Sequence, residues 1–300
     1  MENILVTGAS GFQGGAVAEE LNKAGFKVYG LSSNLSNPQR ERIAAVAGNL
    51  SNVESLVQAF KGMDGVFFTL PLIFDKEQVL DYTRNFIKAA EKSTLKLIIF
   101  NSSMLVPEKA LNVVPYDIKF EAEQLLRASG LPLIYFHPRI YFDNIPAPWS
   151  VPAIMNEGIF AYSINSNVKV SWLSLNDLGR FAASAFTKLE LIGQTFELGG
   201  KAITCTEIAK ALTNVVGREV NYLSVSPDDF EAGLKGAIGD QAAAAVADIY
   251  RYLEKVEDSF ITSNEAHRIL KVTPVSIGEW VKYIPWKSLN EQFIQEPTVN

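Results

Sequence analysis

Three glycines near the start of the chain, Gly8, Gly11 and Gly14, have the spacing of a turn that binds phosphate. The apolar run 4–6 precedes them, and apolar residues at helical spacing follow them. In such a strand, turn and helix, the first glycine permits the sharp turn and the second lets a pyrophosphate approach the backbone. The third lets the helix lie close to the strand. Because the helix N-terminus presents free N–H groups and the positive end of its dipole, the pattern predicts a dinucleotide site.

The glycine pattern G-x-x-G-x-x-G is a weak signal by itself, and its context makes it more specific. It follows a strand, opens a helix and is succeeded by a second apolar run at 26–31, as a βαβ unit requires. A tight turn without a ligand is the structural alternative. We expect the cofactor to contact the turn through Gly8, Ala9, Ser10, Gly11, Phe12 and Gln13.

Apolar runs alternate with helical patterns through the first half of the chain. This alternation predicts an α/β fold with a doubly wound parallel Rossmann sheet, which binds ligands in the crevice beyond the carboxyl ends of its strands. The predicted strands are 4–6, 26–31, 43–47, 66–70, 96–100 and 132–136, and the later predicted helices of this half are 52–60, 75–92 and 115–129.

The alternation of predicted strands and helices ends near residue 144, where Pro146, Pro148 and Pro152 interrupt regular structure. We predict an NAD(P)-binding domain over 1–144 and a smaller α+β substrate region over 145–300, with elements of about 168–200 returning to the sheet. The elements predicted in the second region are helices at 176–188 and 204–216, strands at 195–198 and 220–223, and a largely helical stretch at 228–255.

Composition points to a soluble globular protein and away from several other classes. The net charge is −6 and the chain has no run of Lys or Arg, which argues against a nucleic-acid partner. No apolar run approaches the length of a membrane span, and the first residues lack a signal peptide, so we expect a cytoplasmic protein without a membrane partner. One cysteine and two distant histidines exclude an intrachain disulfide and argue against a metal site.

Several segments, in order, resemble the NmrA-like branch of the extended or atypical short-chain dehydrogenases. The resemblance implies a Rossmann fold, a small C-terminal substrate domain and bound NADP(H) or NAD(H). Gln13 matches a glutamine common in redox-sensor members of the family. The segments that carry the resemblance are 8–15, 114–119 with Glu123, 137–144, 177–179, 193–195 and 204–209.

The resemblance implies four candidate catalytic residues. Ser102 and Ser103 stand where short-chain dehydrogenases place a hydroxyl that binds the substrate oxygen, and a plain turn at a strand end is the alternative. Lys119 matches a lysine that contacts the nicotinamide ribose and serves as a base in some relatives; a solvated helix lysine is the alternative. Tyr116 precedes Lys119 by three residues, whereas the dehydrogenase pattern is Y-x-x-x-K. A tyrosine acid therefore departs from the family geometry.

The end of the second strand bears on cofactor choice, because an acidic residue there binds the 2′-hydroxyl of NAD. No acid stands there; Ser32 and Ser33 offer hydroxyls, and Arg40 and Arg42 lie within loop reach. Relatives that use NADP usually carry an arginine near Ser33, a pattern from which this chain departs. We expect NADP(H) ahead of NAD(H). The remaining cofactor contacts expected from the family are Asn49, Leu50, Thr69, Leu70, Pro71, Lys119, Tyr141 and Asn144.

Three functions are compatible with these residues. The first is an NAD(P)H-dependent oxidoreductase that transfers hydride to a small carbonyl, quinone or aryl substrate. The second is a non-catalytic NADP(H) sensor, which needs only the cofactor pocket and a regulatory protein partner. The third is a sugar-nucleotide epimerase, which normally has the intact tyrosine and lysine pair. A homodimer is compatible with all three functions.

His137 follows a predicted buried strand, and we interpret it as a packing residue.

Overall fold

The computed structural model describes residues 1–35, 43–256 and 260–295. The strands in these ranges are β1 (Asn3–Thr7), β2 (Lys27–Ser32), β3 (Ala44–Ala47), β4 (Gly65–Thr69), β5 (Leu97–Asn101), β6 (Leu133–Pro138), β7 (Ile159–Tyr162), β8 (Val170–Ser171), β9 (Thr195–Leu198), β10 (Ala202–Ile203) and β11 (Asn221–Ser224). The α-helices are α1 (Phe12–Lys23), α2 (Val53–Ala59), α3 (Lys76–Ala90), α4 (Val114–Ala128), α5 (Leu175–Ala185), α6 (Cys205–Val216), α7 (Pro227–Ile238), α8 (Asp240–Leu253), α9 (Glu265–Leu270), α10 (Ile277–Tyr283) and α11 (Trp286–Gln295).

Within the described ranges, seven parallel strands form the central sheet, in the order β3-β2-β1-β4-β5-β6-β9. β4 and β5 are buried along their whole length, as continuous apolar strands covered by helices on both faces must be. The predicted α/β fold class is therefore confirmed. The strand order reverses between β1 and β4, which opens a crevice at their carboxyl ends.

Helices cover both faces of this sheet with separate apolar cores. On one face α1 and α5 pack together, and on the other α2, α3 and α4 cover the sheet. Gly179 on α5 allows the close approach to α1, because a Cβ there would lie 2.6 Å from Cβ of Glu20. α5 and β9 both come from the second half of the chain, and β9 pairs with β6 at the sheet edge.

The second half also builds a third core, rich in aromatic rings, beside the carboxyl ends of the strands. Phe142 stacks on Trp172 with ring centroids 5.7 Å apart, and Tyr162 meets Trp172 edge to face. β7 pairs with β11 and β8 with β10 in two small sheets. The predicted helical stretch 228–255 is two helices, α7 and α8, because Gly239 between them has φ +80°.

No helix in the described part of the chain combines the length and the apolar character needed to cross a membrane. In the same ranges, no three His, Cys, Asp or Glu side chains gather in a group that could hold a metal ion.

Candidate active site

The glycine turn has the backbone geometry that its spacing predicts. Gly8 has φ +66°, in the left-handed region that favours glycine, and the Gly11 N–H donates a 2.9 Å hydrogen bond to the Gly8 carbonyl oxygen. A Cβ at Gly14 would lie 2.5 Å from the Gly8 carbonyl carbon and 2.7 Å from the Thr7 carbonyl oxygen. Only glycine at position 14 lets α1 start this close to β1.

The start of α1 has the N–H groups that a phosphate ligand would need. α1 begins at Phe12, and no side chain of the described residues caps it, so the first N–H groups lack the capping side chain that often binds a helix N-terminus. Gly8, Ser10 and Gly11 are exposed and Phe12 is 84% exposed, whereas Ala9 is buried in the core. A pyrophosphate fits this turn, because its acceptor oxygens would satisfy the N–H groups at the start of α1, and Gly8 and Gly11 carry no side chain that would keep it from the backbone.

A hydrogen-bonded polar cluster lies next to the turn, and we call it the Gln13 hub. It consists of Gln13 on α1, Thr69 at the end of β4, Asn101 and Ser103 at the end of β5, and Tyr141 after β6. Gln13 Oε1 lies 2.9 Å from Asn101 Nδ2, 2.9 Å from Ser103 Oγ and 3.4 Å from the Tyr141 hydroxyl. The hub therefore joins three strand ends to the glycine turn.

Backbone groups fix the direction of the hydrogen bonds in the hub. The Ser103 backbone N–H donates to Asn101 Oδ1 at 3.3 Å, so Asn101 Nδ2 is the donor toward Gln13. Gln13 Oε1 is then the acceptor, and the single hydroxyl proton of Ser103 goes to it. Thr69 consequently donates to Ser103 across 3.1 Å.

Both candidate serines use their hydroxyl protons within the protein. Ser102 is buried, and its Oγ lies 2.9 Å from the Phe136 carbonyl oxygen and also contacts the Met104 carbonyl oxygen. Ser103 has φ +67°, a left-handed conformation that is uncommon outside glycine. The hydrogen bonds of the hub hold it there.

Tyr116 lies on the buried face of α4. It is fully buried, its ring centroid is 4.8 Å from that of Tyr252, and its hydroxyl has no hydrogen-bond partner among the residues that the structure describes. Burial raises the pKa of this phenol well above its usual range. The hydroxyl is thus a poor proton donor in this arrangement.

Lys119 is half-buried on the same helix. Its ammonium makes no hydrogen bond or ion pair to any residue within the described ranges. Desolvation by burial lowers the pKa of Lys119 to about 8. Of the four candidate catalytic residues, Lys119 is therefore the one whose polar group neither bonds to a described residue nor is fully enclosed.

A buried ionic cluster holds α4 against β6, and sequence reasoning interpreted one of its members only as a packing residue. Glu123 lies one helical turn after Lys119, and its carboxylate is 2.6 Å from His137 Nε2 and accepts from Arg127 at 2.6 and 2.9 Å. Although burial opposes ionisation, the hydrogen bonds from His137 and Arg127 hold the pKa of Glu123 below its usual range. The spacing of four residues between Glu123 and Arg127 on one helix face is the sequence signal for this cluster.

The predicted adenosine contacts lie at the ends of β2 and β3. Ser33 is exposed directly after β2, and Ser32 Oγ donates to the Asn34 carbonyl oxygen at 2.7 Å. Asn49 is exposed, and its Oδ1 accepts from the Ser51 N–H at 2.9 Å. Leu50 is half-buried, with its carbonyl oxygen bound by Asn85 Nδ2 at 3.1 Å. Arg40 and Arg42 lie outside the described residues.

The remaining predicted contacts lie after β4 and β6. Reciprocal 2.8 Å hydrogen bonds join Thr7 Oγ1 to the backbone of Thr69 and fix the ends of β1 and β4 together. The next two positions, Leu70 and Pro71, are buried and half-buried. Tyr141 is buried and belongs to the Gln13 hub, and Asn144 is exposed at the end of a short 3₁₀ helix, Phe142–Asn144.

Comparison with known proteins places this geometry in a family. The model of the NmrA-like family matches residues 1–282. The chain is a member of the NmrA-like family. This confirms the resemblance found in the glycine turn and the later segments.

Among curated relatives of this NmrA-like protein, the quinone oxidoreductase 2 of Escherichia coli is 28% identical over 255 residues, covering 82% of this chain and 86% of the relative. A solved structure of the NADPH-dependent quinone oxidoreductase from that organism, complexed with NADPH, has a TM-score of 0.77 at 24% identity, covering 93% and 99% of the two chains. The NAD(P)H azoreductase of Xenophilus azovorans is 24% identical over 253 residues, covering 82% and 86%.

A nucleoside-diphosphate-sugar epimerase structure from Staphylococcus aureus has a TM-score of 0.79 at 23% identity, covering 93% of this chain and 99% of that one. At this identity the likeness shows a shared fold and does not distinguish a reductase from an epimerase.

Proposed function

We propose that this protein is an NADP(H)-dependent oxidoreductase that transfers hydride to a small quinone, carbonyl or aryl compound. The observation that carries the proposal is the glycine turn that follows β1, together with Lys119 on α4, the helix that follows β5 of the same parallel sheet. The ammonium of Lys119 has no partner among the described residues. The names of two relatives, a quinone oxidoreductase and an NAD(P)H azoreductase, support the reaction class and the cofactor.

The cofactor-binding residues divide between the two halves of the dinucleotide. The N–H groups at the start of α1 bind the pyrophosphate. Ser33 and Ser32 lie at the end of β2, where the adenosine ribose is bound in folds of this order, and positions 32–35 directly after the strand carry no acidic residue that would repel a 2′-phosphate. These features support NADP(H) over NAD(H).

When bound, the reduced nicotinamide supplies a hydride, and the substrate atom that gains negative charge then needs a proton. Lys119 meets that need, because its ammonium can stabilise the developing charge or donate the proton. Ser102 and Ser103 already donate within the protein, and Tyr116 is enclosed. Lys119 is therefore the residue that we assign to proton donation.

The pKa of Lys119 sets the expected pH dependence. With a pKa of about 8, the ammonium form predominates at pH 7 and is lost as the pH rises through 8. A reaction that needs the cation should slow above that pH, and kcat/KM reports this step for the free enzyme. The glutamate, histidine and arginine cluster, Glu123, His137 and Arg127, keeps α4 and therefore Lys119 in position.

Two alternatives make different predictions. An epimerase is disfavoured by the position of Tyr116, which is enclosed and three residues from Lys119. A sensor would bind NADP(H) and reduce no substrate.

The test is a titration of the purified protein with NADPH and NADH, followed by oxidation of the tighter cofactor by a panel of quinones, aldehydes and azo dyes. We expect tighter NADPH binding and turnover with at least one acceptor. Tight NADPH binding without turnover across the panel would favour the sensor, and absence of binding to either cofactor would contradict the proposal.

A further inference from the structure

The side-chain oxygen of Gln13 accepts an unusually large number of hydrogen bonds. Its Oε1 accepts from Asn101, Ser103 and Tyr141, whereas a carbonyl oxygen has two lone pairs. The oxygen end of the amide is thus saturated by the protein. The left-handed backbone of Ser103, one of the three donors, is part of the same arrangement. An uncommon conformation kept at a strand end of this kind points to a functional constraint.

The other end of the amide is unoccupied. Gln13 Nε2 has no hydrogen-bond partner among the described residues and is not one of their fully buried polar atoms. Because the bond to Asn101 fixes which end of the amide is oxygen, the two N–H groups on Nε2 must point away from the hub. These two N–H groups form a donor pair with a fixed orientation beside the glycine turn.

The strand order shows which half of a dinucleotide this donor pair meets. Gln13 starts from α1, which follows β1, but its side chain reaches Asn101 at the end of β5, beyond β4. Ser32 and Ser33 follow β2, on the opposite side of β1. A dinucleotide bound across this crevice has its adenosine at the β2 side. The donors of Gln13 therefore lie on the side of the nicotinamide.

We propose that Gln13 is a binding residue for the nicotinamide half of the cofactor, donating from Nε2 to an acceptor oxygen there. The inference rests on the proposed function and adds to it the atom and the half of the dinucleotide. The hub acts as a positioning device, since it fixes the amide orientation before the cofactor arrives and reduces the ordering cost of binding.

The test uses two variants and two ligands. Gln13→Met keeps the length of the side chain and removes the donors, while Gln13→Glu keeps an acceptor for the hub and also removes the donors. Dissociation constants for NADPH and for adenosine 2′,5′-bisphosphate, which lacks the nicotinamide half, are measured by calorimetry. We expect Gln13→Met to weaken NADPH binding about tenfold and to leave the bisphosphate within about twofold of wild type.

The matched control is Ser103→Ala, which removes one donor to the hub and leaves Nε2 intact. Its effect on NADPH affinity should be smaller than that of Gln13→Met. Melting temperatures verify that each variant folds. If Gln13→Met does not fold, Gln13→Glu replaces it in the comparison. Gln13→Glu should also weaken the binding of NADPH more than the binding of the bisphosphate.

Three outcomes would overturn the inference. NADPH affinity unchanged in a folded variant would show that Nε2 meets no ligand atom. Equal losses for NADPH and the bisphosphate would place the contact on the adenosine or phosphate half. A wild-type protein that binds neither ligand would defeat the proposed function as well, so the two failures are distinguishable.

Discussion

The glycine turn and the first half of α4 lie at one edge of the sheet, but their properties have different physical origins. The turn depends on local backbone conformation, with Gly8 at positive φ and Gly14 against the β1 backbone. The properties of α4 depend on tertiary burial, which encloses Tyr116 and lowers the pKa of Lys119 to about 8. Local rules therefore predict the backbone geometry of the glycine turn, whereas the chemistry of a side chain depends on what packs over it.

The largest expected effect comes from breaking the turn at Gly14. Gly14→Ala would drive a Cβ into the backbone of Gly8 and Thr7, so we expect a loss of about 3 kcal/mol in the free energy of unfolding. NADPH affinity should fall by about two orders of magnitude, about 2.7 kcal/mol. Urea denaturation and calorimetry measure the two quantities.

Gly11 provides the matched comparison within the same turn. A Cβ at Gly11 would approach the Gly8 carbonyl oxygen at 3.3 Å, so Gly11→Val should keep the fold and lower NADPH affinity at least about tenfold. Gly233→Val on α7, where a Cβ meets no described residue within 4 Å, controls for the same added side chain. Unchanged NADPH affinity in a folded Gly11→Val variant would mean that the site is elsewhere.

A smaller effect is expected at the end of β2. Ser33→Asp places a carboxylate where we expect the 2′-phosphate, and repulsion between the like charges should weaken NADPH about tenfold and reverse its advantage over NADH. Dissociation constants for both cofactors provide the ratio. Asn214→Asp, exposed on α6, adds the same charge outside the central sheet and should leave the ratio unchanged. If Ser33→Asp also leaves it unchanged, Ser33 does not face the ribose.

The parts of the fold that sequence could predict are those with a local signal. The strands 44–47, 65–69 and 97–101 match short apolar runs between polar turns, and the predicted family is confirmed. The small sheets of the second half were not predicted as a unit. β7 pairs with β11 across some sixty residues, a contact that no local pattern encodes.

The candidate site shows the same division. The conformation of the glycine turn could be predicted from the sequence, because its backbone requires glycine. The direction of each hydrogen bond in the Gln13 hub could not be predicted, because it depends on the tertiary structure, in which the Ser103 N–H donates to Asn101 Oδ1. The roles of the site residues remain predictions, and the variants above test them.

The burial of Lys119 also affects the pH dependence of stability. The pKa of Lys119 is about 8 in the folded protein against an ordinary value of 10.5, so between these pH values the unfolded chain binds a proton that the folded chain has lost. Stability attributable to this group therefore rises with pH across that window and is lowest below pH 8.

Lys119→Met removes this penalty. The difference in the free energy of unfolding between Lys119→Met and wild type should favour the variant most at pH 7 and shift toward wild type as the pH rises to 10.5. Urea denaturation at pH 7, 9 and 10.5 measures it, with the exposed Lys61→Met as the control. A difference that is the same at every pH would contradict the burial assigned to Lys119.

The most direct test of the account is single-turnover oxidation of bound NADPH by an acceptor found in the panel, comparing wild type with Lys119→Met. We expect a rate about 100-fold lower in the variant, the size typical of losing a general acid, with a much smaller change in NADPH affinity. We also expect the wild-type kcat/KM to fall as the pH rises through about 8. An unchanged single-turnover rate in a variant that still binds NADPH would contradict the assignment of proton donation to Lys119.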